Sequence, residues 1–194
     1  MNLIEIILIA LGLSMDAFAV AISLGLSVKD PGIKEMAIAG LYFGVFQAIM
    51  PLTGFLLGVS FTEKIAGFDH WIAFALLGFI GGKMIKDSFS FEEAPERHES
   101  GKNPFRFFNM LPLAVATSID ALAVGITFAL FKVPIIMAAF LIGSITFVIG
   151  LCGVKIGNLF GLKYKAKAEF GGGVVLVFLG IKIVVEHTLF VARV

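Results

Sequence analysis

Long apolar runs alternate with short polar breaks along the whole chain. Six runs emerge, at about Leu3–Ser27, Met36–Val59, Phe68–Phe89, Phe107–Leu130, Pro134–Leu159 and Phe170–Val191. A helix rises about 1.5 Å per residue, so roughly 20 residues cross a hydrocarbon core of about 30 Å, and each run predicts one crossing. The breaks are a few residues long except one, "SFEEAPERHESGKNP", which carries both signs of charge, two prolines and a glycine. Such a stretch reads as a solvated tether between two halves. The pattern therefore predicts an all-α integral membrane protein with six transmembrane helices: residues 1–90 and 107–194 as three-helix units, joined by a linker at 91–106.

Composition agrees. Of 194 residues, 59% are hydrophobic and 15% charged, and the mean hydropathy is +1.01; soluble chains carry about 25% charged residues. The first run has neither a basic leading region nor a small-residue cleavage site, so it is expected to be retained as a helix. A net charge of +1 implies no nucleic-acid partner. The single Cys152 cannot form an internal disulfide. Lysines and arginines in the breaks set the orientation. Nine (Lys29, Lys34, Lys86, Arg97, Lys102, Arg106, Lys163, Lys165, Lys167) fall on one side and three (Lys64, Lys132, Arg193) on the other. The first side is expected to be cytoplasmic, with both termini extracytoplasmic.

Against this background one stretch is anomalous. "LSMDAFAVAIS" (Leu13–Ser23) puts Asp16 near the middle of the first run, where an ionised side chain costs about 2.5–3.5 kcal/mol on insertion scales. The anomaly recurs in "ATSIDALAVGI" (Ala116–Ile126), where Ser118 and Asp120 follow Ser14 and Asp16 at an offset of 104. Farther on the offset becomes 99: Gly44 meets Gly143, Gln47 meets Thr146, Gly54 meets Gly153 and Gly58 meets Gly157, and "GGKMIKD" meets "GIKIVVE". The chain reads as a duplicated three-helix unit. An odd number of helices forces the second copy to enter from the opposite face, which gives an inverted repeat with a pseudo-two-fold axis in the membrane plane. Secondary transporters built this way bind substrate near the midplane, where the repeats meet. Asp16 and Asp120 are expected to meet there, tolerable together only with a cation between them or with shared protons.

The stretches "SMDAFAVAIS", "FGVFQAIMPLTG", "GGKMI" and "ATSIDALAVGI" resemble the signatures of the MntP family of manganese efflux pumps, within the lysine-exporter superfamily, over essentially the whole chain. The resemblance implies Mn²⁺ export across the bacterial inner membrane by the two helix-borne aspartates, which correspond to Asp16 and Asp120. One departure is Ile38, which stands where many members carry a basic residue.

The residues themselves point to a hard divalent ion, because such ions prefer oxygen ligands. Asp16, Asp120, Ser14, Thr117, Ser118, Gln47 and Thr146 are the candidates, and no histidine lies mid-membrane. The chemistry alone leaves Mn²⁺, Mg²⁺ and Ca²⁺ open. Mn²⁺ is substrate here, and no cofactor is expected. Lys83 with Asp87, and Lys182 with Glu186, stand four apart on one helix face and are candidates for charge compensation, equally well read as surface pairs. Glu169 is a candidate entry residue, although its cluster "KYKAKAE" reads first as an anchor. The prolines Pro51 and Pro112 predict kinks. His98 belongs to the tether. Other cargoes, an amino acid or cadmium, fit less well: the repeats offer two negative groups and the chain only one thiol. An intramembrane aspartyl protease is also disfavoured, since its aspartates would not be expected as inverted-repeat equivalents, so the protein is read as a transporter and not an enzyme. No nucleotide-binding loop is visible, which leaves proton exchange as the simplest coupling. The glycine-rich faces would permit a homodimer within the lipid bilayer.

Overall fold

The computed structural model describes residues 1–28, 30–60, 69–89, 104–160, 170, 174, 177–182 and 184–185. Six helices are defined within them: α1 (Leu3–Ser27), α2 (Ile33–Val59), α3 (Asp69–Ser88), α4 (Phe107–Thr117), α5 (Ile119–Leu130) and α6 (Ile135–Phe160). Residues 177–182 are also helical. Among the described residues there are no strands. Among the described residues, helices α1, α2 and α6 are each long and apolar enough to cross a membrane, and the bent pair α4–α5, counted as one span, would be a fourth. The third run forms a helix without meeting that test. The sixth run and the tether around His98 fall mostly or wholly outside the described residues.

The first run starts where a capping box closes: the Asn2 side chain accepts from the Glu5 N–H, and the Glu5 carboxylate accepts from the Asn2 N–H, both at 2.9 Å. The fourth run, expected as one crossing kinked by Pro112, is instead two helices. It breaks at Ser118, with a bend of 41° between α4 and α5. Ser118 has left the helical region (φ −111°, ψ 4°), and its N–H bonds three residues back to Val115. Its hydroxyl donates to the Ala114 carbonyl at 2.7 Å, and the Thr117 hydroxyl donates to the same carbonyl at 3.2 Å. Side-chain bonds to preceding carbonyls bend helices. The equivalent Ser14 makes the same bond, to Ala10, yet α1 continues unbroken. The two copies differ in their neighbours: Leu13 occupies the place of Thr117, and Leu8 the place of Pro112, whose ring removes a helical hydrogen bond.

The packing is organised by α1, α2, α5 and α6. Helix α1 lies along α6, and α2 lies against both α5 and α6. Glycines carry the crossings. A Cβ built on Gly44 would sit 2.8 Å from the Gly143 carbonyl oxygen, and one on Gly143 would sit 2.9 Å from the Gly44 carbonyl oxygen. Small residues let helix backbones approach this closely in membranes. Gly54 abuts Leu122, and Gly153 abuts Phe18; Gly58 abuts Ile126, and Gly157 abuts Ile22. The α1–α6 contacts are thus repeated in the α5–α2 contacts at the offsets of 104 and 99 residues.

Two apolar clusters fill the interior. One joins Ile6, Ile9, Ala10 and Leu13 of α1 to Ala121, Val124 and Phe128 of α5, with Leu77 and Ile142. The other joins Ala17, Ala21 and Leu24 of α1 to Met110 and Ala114 of α4, with Phe43 and Val154. Between them, along both α1 and the α4–α5 pair, lie the serines and aspartates of the repeated motif. Large apolar side chains such as Ile4, Leu56, Ile136 and Phe140 face outward, the arrangement of a chain solvated by lipid.

Candidate functional site

The layer between the two apolar clusters holds every candidate oxygen ligand. Ser14, Thr146 and Gln47 are fully buried and knit three helices together. The Ser14 and Thr146 hydroxyls are 2.8 Å apart, joining α1 to α6, and the Gln47 amide donates to the Leu13 carbonyl at 3.0 Å, joining α2 to α1. Gln47 and Thr146 are repeat equivalents, and both spend a polar group on α1. Thr117 and Ser118 are buried in the α4–α5 break, where their hydroxyl oxygens keep lone pairs after donating backwards.

Asp120 follows directly in the first turn of α5. Its Oδ1 accepts from the Ala121 N–H at 2.8 Å, and its Oδ2 is buried with no hydrogen-bond partner among the described residues. A buried carboxylate oxygen without a donor is costly, and native structures seldom leave one without a reason. Asp16 is half-buried on α1. The Asp120 carboxyl lies within electrostatic reach of Asp16 and of Lys83. Two carboxylates so placed repel if both are ionised, and a cation or a proton relieves the repulsion. The arrangement sets two acids in one layer with hydroxyl and amide oxygens and with apolar side chains above and below, a setting that suits a cation or a shared proton.

Among the described residues no three His, Cys, Asp or Glu side chains converge. A metal here would rely on two acids and on neutral oxygens, the donor set of hard ions. Cys152 is exposed on α6.

The charged candidates of the third and sixth runs are only partly described. Lys83 is exposed on α3, while Glu169, Glu186 and the Asp87 side chain lie outside the described residues. Lys182 is bonded to Glu5 near the start of α1, with its Nζ donating to Oε1. Sequence reasoning passed over Glu5. The available signal was its position 11 residues before Asp16, which places both carboxylates on nearly the same face of α1.

A family model described as "Putative manganese efflux pump" matches residues 30–184. Three relatives carry the name "Putative manganese efflux pump MntP". That of Desulfitobacterium hafniense is 54% identical over 187 residues, covering 96% of each chain. That of Mannheimia succiniciproducens is 50% identical, covering 98% of this chain and all of the relative. That of Acetivibrio thermocellus is 49% identical, covering 96% of this chain and 92% of the relative. No solved structure matches the chain. Matched over most of its length by the family model, and nearly end to end by relatives at about half identity, this multi-pass membrane protein belongs to the MntP family.

Proposed function

We propose that the protein is a secondary transporter that exports Mn²⁺ from the cytoplasm across the bacterial inner membrane. The single observation that carries this reading is the pairing of Asp120, whose Oδ2 is buried and unpartnered among the described residues, with Asp16 within electrostatic reach in a polar layer between two apolar clusters. The names of the relatives supply the metal. The glycine crossings that repeat at the two offsets support an inverted pair of three-helix units, with Gly44 and Gly143 at the pseudo-two-fold axis. In that arrangement the termini are extracytoplasmic and the tether is cytoplasmic.

The mechanism follows from the layers. An ion from the cytoplasm reaches the aspartates when the cluster around Met110 and Phe43 opens, and leaves when the cluster around Ile9 and Phe128 opens. Rocking of one unit against the other would open them in turn. The bond between Ser14 and Thr146 and that between Gln47 and Leu13 hold the helices that carry the site. On the return step the aspartates carry protons, which makes exchange the simplest coupling. Cys152, exposed on α6, is not among these ligands, which speaks against a soft ion such as cadmium.

The test is metal content. Cells lacking the protein, grown under Mn²⁺ load, are expected to accumulate manganese and stop growing, with smaller changes for zinc and copper. Unchanged cellular manganese would overturn the assignment.

A further inference from the structure

The mechanism leaves one charged pair unused. Lys182, from the last helical stretch, is bonded through Nζ to Oε1 of Glu5 in the first turn of α1. The side chains are only 32% and 15% exposed, respectively. We propose that Glu5 is the exit carboxylate of the ion path, and that Lys182 occupies it as an internal cation until the transported divalent ion arrives. This inference rests on the export reading above, which puts the start of α1 at the extracytoplasmic face.

Three features carry it. The first is alignment: at 100° per residue, the 11 residues from Glu5 to Asp16 return to within about 20° of the same face, some 16 Å along the axis. Ile9 and Gly12 lie between them near that face, and both are buried, so the stripe that joins the two acids is closed. The second is how the carboxylate is held. Its Oε2 accepts from the Asn2 N–H, while its Oε1 accepts from the Lys182 ammonium. The capping box keeps Glu5 oriented when Lys182 departs, so an oxygen is freed in a fixed position. An ammonium and a divalent ion compete for that oxygen. The ion's arrival therefore unpins the last helical stretch from α1 and opens the exit.

The third feature is asymmetry. The repeat equivalents of Glu5 and Lys182 are Asn109 and Lys83. At the opposite end of the molecule an amide thus replaces the acid, and Asn109 lines an open cavity of about 640 Å³ with Arg106, Phe107 and Phe108. An ion pair can latch the outer end, while its counterpart at the inner end lacks the acid to form one. The resting protein is accordingly closed outward, and opening requires exchange of Lys182 for the ion.

The experiment labels a cysteine at Ile9 with a membrane-impermeant maleimide on intact cells, in a Cys152→Ser background. Leu8→Cys is the second reporter, used if Ile9→Cys does not insert. With the pair intact, labelling is expected to be slow without Mn²⁺ and to accelerate under Mn²⁺ load. Lys182→Met is expected to label roughly tenfold faster without metal, as for a closed state that has lost a half-buried ion pair. Glu5→Gln is expected to label fast regardless of Mn²⁺ and to export poorly. Slow labelling in Lys182→Met, or full export in Glu5→Gln, would overturn the proposal. Failure of the central site is separately visible, since it would appear as persistent export in Asp120→Asn while the metal-free Lys182 comparison is unaffected.

Discussion

Replacing Asp120 by asparagine isolates charge from shape. The amide oxygen can still accept from the Ala121 N–H, as Oδ1 does at 2.8 Å, so the first turn of α5 keeps its bond. The buried Oδ2 position, unpartnered among the described residues, exchanges an anionic oxygen for an amide nitrogen, and insertion becomes less costly with the charge removed. The variant should therefore fold. What it loses is half of the charge facing the ion. At about 4 Å and an effective dielectric near 20, a unit charge pair is worth about 4 kcal/mol. A divalent ion doubles the attraction, and desolvation takes part of it back. A net loss of about 4 kcal/mol corresponds to roughly a thousandfold in affinity. Mn²⁺ uptake into inverted membrane vesicles is the assay, with protein level checked for each variant. Asp120→Asn and Asp16→Asn are each expected to fall to the level of the double variant, because either carboxylate alone is a poor match for an ion that must shed much of its water. Losses that add independently, as for distant sites, or substantial uptake by either single variant at normal expression, would refute a shared site.

The Ser14–Thr146 hydroxyl bond at 2.8 Å is expected to show a coupling of about 0.6–1.7 kcal/mol in a stability cycle of Ser14→Ala and Thr146→Val, since such interhelical bonds have that strength in membranes; zero coupling would remove its role in holding α1 on α6. Two glycines should respond with opposite sign. In Gly54→Ala the new methyl presses on the Leu122 backbone and is expected to cost about 1–3 kcal/mol. In Gly78→Ala it meets nothing within 4 Å among the described residues and is expected to gain up to about 1 kcal/mol from helix propensity. Thermal denaturation in detergent reads both, and equal shifts would contradict the packing. For topology, a cysteine at Ser100 in a Cys152→Ser background should resist an impermeant reagent on intact cells and react in inverted vesicles; ready labelling from outside would reverse the orientation.

Periodicity and repetition made much of this legible from residues alone. The span of α1 follows from uninterrupted apolar sequence and a capping box at Asn2 and Glu5, both local features. The offsets of 104 and 99 residues marked the glycines that meet their helix neighbours, because close backbone approach leaves no room for a side chain at those positions. Asp16 and Asp120 stood out because a carboxylate in an apolar run has no local justification. Other features were decided only by the fold. The break at Ser118 depends on Thr117 and Ser118 sharing the Ala114 carbonyl and on Pro112 nearby, while the nearly identical motif in α1 leaves that helix unbroken. The sequence suggested Glu186, which lies outside the described residues, as a neighbour for Lys182 because it is four residues away; that Lys182 also bonds to Glu5, 177 positions distant, is a product of tertiary packing. Periodicity governs which face of a helix a residue occupies, and that is a property of neighbours in the chain. Which helix covers that face is set by packing between distant segments, so the partner of a charge becomes visible only once the helices are assembled.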